Sequence, residues 1–120
     1  MSRDLPSIRG LTISEDKVTR YLLNTDHPRG GPKARFLLRF GFDGHEPRVL
    51  QDSLADHLLL APDAWTVSNA QSDIKIVCEG PMTSPDGRHP MIRSVWMLEN
   101  EFAAFVTLVP LTRGQPRSTP

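Results

Sequence analysis

The sequence predicts an α+β domain: two to three N-terminal helices packed on a C-terminal antiparallel sheet of about three strands. Three observations carry this. Apolar residues recur at helical spacing between Ser14 and Leu60; the pattern switches to apolar runs and strand-like alternation from Ile74; and Pro- and Gly-containing breaks separate the segments. Helical patterns that precede strand patterns, rather than alternating with them, place a helix layer against one face of a sheet.

Residues 1–11 read as a flexible lead-in, 12–111 as one domain, and 112–120 as a polar, Pro-containing disordered tail. The first helix opens at Ser14, an effective N-cap followed by Glu15 and Asp16, where the helix dipole favours negative charge. Val18, Tyr21 and Leu22 give it an apolar face, and it ends at Asn24. The second helix takes Pro32 at its first position, buries Phe36, Leu37 and Phe40, and closes at Gly41. The third opens near Pro47, lines one side with Val49, Leu50, Leu54, His57 and Leu58, and stops before Pro62. Strands follow at Ile74–Cys78, Met91–Leu98 and Phe102–Val109. Ser84–Arg88 carries Pro and Gly where a turn uses them, and Glu99-Asn100-Glu101 is short enough for a hairpin.

Composition bounds the function. The chain has 120 residues, with 14 basic and 14 acidic side chains, so net charge alone does not drive broad nucleic-acid binding. The distribution is less even: Arg29, Lys33, Arg35 and Arg39 fall between His27 and Phe42 with no acidic residue among them, either a solvated face or an anion-binding patch. The single Cys78 forms no internal disulfide, which predicts a reducing, cytoplasmic setting. Met1 to Gly10 lacks the apolar stretch of a signal peptide, and no run approaches the ~20 apolar residues of a membrane span.

No Walker loop, nucleophile elbow or His-Glu-x-x-His motif is present, and four scattered histidines predict neither a metal site nor a cofactor. His57 reads as a packing residue and His45 as a loop residue, while His89 is either a solvated loop histidine or a ligand contact. His27 differs in context. Pro28 holds it extended, beside a Gly-Gly loop that leads into a helix N-terminus. Lys33 then stands in that helix's first turn, where a cation works against the dipole unless an anion is near. A titratable imidazole next to an anion cradle suits acid–base chemistry on a phosphodiester; the alternative is that Asp26 simply pairs with His27 or caps the turn. Arg93 and Thr107 sit on strands, each either on a solvent face or turned to a cleft.

Three blocks resemble a known family. They are Asn24 to Phe36 with Gly41-Phe42, Glu79 to Trp96, and Phe105-Val-Thr107. Together they look like an uncharacterised bacterial domain found alone, in polymorphic toxins, and at the C-termini of phage Mu-type minor head proteins. That domain is similar in turn to the barnase–EndoU–colicin–RelE group of small ribonucleases. The resemblance implies a site of His27, Lys33, Arg93 and Thr107. Beside it, Arg29, Arg35, Arg88 and His89 are the substrate-binding candidates. The family usually carries a small residue and a Tyr after the Thr; Leu108 and Val109 stand there, so any role of that Tyr is lost. The expected activity is metal-independent endoribonucleolytic transesterification. The partners implied are RNA and a cognate antitoxin or immunity protein. The alternatives are a non-catalytic module binding RNA, an anion or a protein, and an immunity or antitoxin partner.

Overall fold

A computed structural model describes residues 5–28, 31–70 and 73–111. The tail expected at 112–120 and candidate Arg29 lie outside the described residues. Strand β1 (Gly10–Thr12) is followed by helix α1 (Glu15–Lys17), which runs on into a π-helical turn, Val18–Leu22. Helices α2 (Gly31–Arg39) and α3 (Pro47–Leu59) come next. A 3₁₀ turn at Pro62–Ala64 leads into β2 (Trp65–Ala70), β3 (Asp73–Pro81), β4 (Met91–Glu99) and β5 (Phe102–Pro110).

The expected α+β class holds, but the sheet has five strands rather than about three, and it is mixed. Its order is β1-β5-β4-β3-β2, with β1 parallel to β5 and every other pair antiparallel. The two strands missing from the sequence reading are edge strands. β2 turns only Trp65 and Val67 towards the core and exposes Thr66 and Ser68, too few apolar positions to stand out. β1 is three residues long, and its pairing partner Phe102–Ala104 is remote in sequence. Part of the segment expected as a lead-in is therefore tied to the sheet: Leu5, Ile8 and Leu11 pack against the core.

The local signals are satisfied by identifiable bonds. The Ser14 hydroxyl accepts from the Lys17 amide at 3.3 Å. Gly41, at φ +97°, closes α2 as a Schellman cap, with Phe42 N–H donating to Leu37 C=O and Gly41 N–H to Leu38 C=O. Asn100 and Glu101 both take positive φ, which a tight β4–β5 hairpin turn requires.

The helices cover one face of the sheet. Ile92, Ser94, Trp96 and Leu98 of β4 alternate inward and meet Leu22, Leu37, Leu50, Leu54 and Leu58, all buried. Each fully buried Leu contributes about 1.5–3 kcal/mol. Arg93, Val95 and Met97 alternate outward and are half-buried. His57 is buried, as its helical spacing implies. The Trp96 indole donates to Ser94 Oγ at 2.9 Å, Ser94 Oγ lies 2.9 Å from His57 Nδ1, and His57 Nε2 lies 3.1 Å from the Gly80 carbonyl. A carbonyl only accepts, so Nε2 carries the proton and Nδ1 accepts from Ser94. Burial holds His57 below its ordinary pKa, against the pull of the Gly80 and Ile92 carbonyls.

Candidate functional site

The site begins with an irregularity in β5. Val95 pairs with Thr107 while Trp96 pairs with Phe105, so Val106 is an extra residue in the strand. Phe105 and Leu108 both face the core, three positions apart instead of two, with Val106 and Thr107 half-buried between them. β1 stops pairing at Ala104, which leaves this stretch on an open edge. The Lys17 ammonium donates to the Val106 carbonyl there at 3.0 Å.

The helices bring three more side chains to the bulge. Lys33, in the first turn of α2, donates from Nζ to the Tyr21 hydroxyl at 2.8 Å and to Thr107 Oγ1 at 2.9 Å. The two hydroxyls are themselves 3.4 Å apart. Among the described residues no carboxylate pairs with Lys33, so its charge is held by neutral oxygens. Tyr21 comes from the π turn, a helix irregularity that is frequent at functional sites. The His27 ring stands edge-on to Tyr21, with centroids 4.9 Å apart. Its loop is shaped by an Asn24 side chain that accepts from the Asp26 amide at 2.9 Å and by the Gly31 amide donating to His27 C=O at 2.8 Å. Gly31 is required by contact: a Cβ there would lie 2.7 Å from the Thr25 carbonyl oxygen.

A shallow, open groove of about 620 Å³ runs beside this cluster, lined by Ser14, Asp16, Lys17, Tyr21, His27 and Val106. Burial works to raise the Tyr21 pKa, but hydrogen bonding with Lys33 and Thr107 and the charges of Lys33 and Lys17 outweigh it. The phenol is held below its ordinary value. What the arrangement offers chemically is a fixed cation, an acidified phenol and an imidazole around one small volume.

Of the residues expected from sequence, the structure brings His27, Lys33 and Thr107 together. Arg93 is a neighbour on the sheet. It lies on the face away from the helices, diagonal to Thr107 at a separation of ~7–8 Å by strand geometry. Its Nε donates to Glu79 Oε2 at 2.6 Å, directly across the β3–β4 pair. Arg35 is exposed, and its guanidinium folds back towards Gly31 at the N-terminal end of α2.

Arg88 and His89 lie away from the cluster. Arg88 donates to the Arg39 carbonyl and to Asp86, both at 2.7 Å, and stacks 4.3 Å above the Phe40 ring. These bonds tie the β3–β4 loop to the C-terminal end of α2, whereas Lys33 stands at the other end. His89 is exposed on the same loop. Sequence reasoning missed Tyr21, read there as part of an apolar face, and Lys17. The available signal for Tyr21 was that it is the sole tyrosine in the chain, placed on a helix next to the His27 loop.

A small α+β fold with a basic, hydroxyl-rich cluster at a sheet edge is the class that the geometry defines. The chain belongs to the family described as a domain of unknown function (DUF6883), whose model matches residues 4–112. Among solved structures it is similar to a chain of a contact-dependent growth inhibition toxin–immunity protein complex from Klebsiella pneumoniae 342. That likeness has a TM-score of 0.60 and 17% identity, and covers 83% of this chain and 99% of that one. At that identity it shows the fold alone. No curated protein matches the sequence.

Proposed function

We propose that this chain is a toxin-like, metal-independent endoribonuclease that cleaves RNA by acid–base transesterification. The observation that carries the reading is the Lys33 ammonium seated 2.8 Å and 2.9 Å from the hydroxyls of Tyr21 and Thr107, with the His27 ring beside them. A cation with no carboxylate partner among the described residues, next to an imidazole, can hold a phosphodiester and move its protons. Two likenesses support it: the resemblance to the toxin-associated bacterial domain and the barnase–EndoU–colicin–RelE group, and the fold shared with a chain of a toxin–immunity protein complex.

In this reading His27 acts as base on a 2′-hydroxyl or as acid towards the leaving 5′-oxygen. Lys33 and Arg93 hold the phosphate and stabilise its developing charge, and Thr107 positions it. The Arg93–Glu79 bond engages Nε, and the guanidinium has two further nitrogens to offer. Arg35 would extend the basic surface along the RNA, and Arg29 is kept as a substrate-binding candidate on its charge alone. A ribonuclease of this kind acts in the cytoplasm and needs a cognate antitoxin or immunity protein in the cell that makes it.

One observation favours a second reading. The similar fold comes from a complex that contains an immunity protein as well as a toxin, so the chain would be the neutralising partner. Incubation of purified protein with total RNA in EDTA, beside His27→Ala, separates the two. The ribonuclease reading predicts cleavage that the variant loses, and growth arrest on induction without a neutraliser. Intact RNA in both lanes overturns it.

A further inference from the structure

We propose that Tyr21 is a catalytic residue of this site, the proton donor to the leaving 5′-oxygen, working opposite His27 as base. The inference rests on the ribonuclease reading and supplies the second proton-transfer group that reading lacks.

The direction of the hydrogen bonds carries it. An ammonium only donates, so both Lys33 bonds use lone pairs, one on the Tyr21 oxygen at 2.8 Å and one on Thr107 at 2.9 Å. The phenolic hydrogen remains. Among the described residues the remaining contact of the hydroxyl is with Thr107 Oγ1 at 3.4 Å, near the limit of a hydrogen bond and open to either donor direction. The proton is therefore available to an oxygen arriving from the groove that Tyr21 and His27 both line. Loss of that proton leaves a phenolate, and Lys33 is already in place to stabilise it. The same bonds and charges lower the Tyr21 pKa against the effect of burial. The π turn and the chain's only tyrosine are thereby accounted for. His89, exposed on the loop at the far end of α2, is too distant to take that part.

The step balances. His27 accepts the 2′-hydroxyl proton as the O2′–P bond forms. The P–O5′ bond breaks as Tyr21 gives its proton to O5′. The products are a 2′,3′-cyclic phosphate and a 5′-hydroxyl end. An imidazolium and a phenolate remain, and they exchange the proton through solvent to reset the site.

The test compares two substrates with wild type, Tyr21→Phe and His27→Ala. One is a dinucleoside monophosphate with a natural alkoxide leaving group. The other is the same nucleoside 3′-(4-nitrophenyl) phosphate, whose leaving group needs no proton. Tyr21→Phe should lose about 10²–10⁴-fold in kcat/KM on the dinucleotide, keep its rate on the aryl ester within a few-fold, and lose the alkaline limb of the pH profile. His27→Ala should fail on both. Equal loss on both substrates, or no loss on either, with Tyr21→Phe folded by circular dichroism, overturns the role of Tyr21 and leaves the ribonuclease reading standing. A wild type inert on both substrates overturns the ribonuclease reading and this role with it. Independently of substrate, titration of the single tyrosine by phenolate absorbance should move upward in Lys33→Met. An unchanged titration removes the physical basis of the proposal.

Discussion

Ser94→Ala removes the hinge of the buried network beneath β4. The Ser94 hydroxyl accepts from the Trp96 indole at 2.9 Å and donates to His57 Nδ1 at 2.9 Å, and both partners are shut off from water. Alanine leaves two buried polar atoms without a partner. Each such loss costs about 1–3 kcal/mol, which brackets the sum at about 2–6 kcal/mol. The small volume change lets the indole and imidazole shift, so the lower half of that range, about 2–4 kcal/mol, is expected. That is a large fraction of the ~5–15 kcal/mol by which a domain is stable. Urea unfolding followed by tryptophan fluorescence reads it as a midpoint shift on the order of 1–2 M. Ser53→Ala is the control, since Ser53 accepts only a 3.5 Å bond from Thr83. A Ser94→Ala cost no greater than that of Ser53→Ala would refute the network as a stabilising element.

Three more outcomes can be measured. Burial depresses the His57 pKa in the folded state, so the unfolded chain takes up that proton first as pH falls below its ordinary ~6.5. Stability is therefore full above that pH and declines below it, at up to about 1.4 kcal/mol per pH unit for one proton. Unfolding free energies of His57→Gln measured from pH 7 to 5 should show a shallower slope; an identical slope removes His57 as the cause. Gly31→Ala places a Cβ 2.7 Å from the Thr25 carbonyl and should destabilise by about 1–3 kcal/mol while displacing the His27 loop. Gly80→Ala, where a Cβ meets nothing within 4 Å, should be near neutral by thermal melting.

Local patterning specifies the three helices, the Ser14 and Gly41 caps and the three central strands, because those depend on neighbours within a few residues. Ser14 caps its own helix, Gly41 closes its own, and Trp96 and Leu98 alternate along one strand. It also pointed to His27 and Lys33, which share one loop-to-helix junction. The remainder arises from contacts between segments distant in the chain. β1 and β2 are edge strands, and β1 forms through pairing with a segment about ninety residues away in the chain, which no local period records. The Val106 bulge exists in the register between two strands, so no single segment announces it. Tyr21 looks like one apolar residue of an amphipathic face until α2 delivers Lys33 and β5 delivers Thr107 to its hydroxyl. Arg88 looks like a ligand contact until the folded loop aims it at the end of α2. Hydrogen-bond donors and acceptors acquire their roles from partners, and here the partners come from different elements.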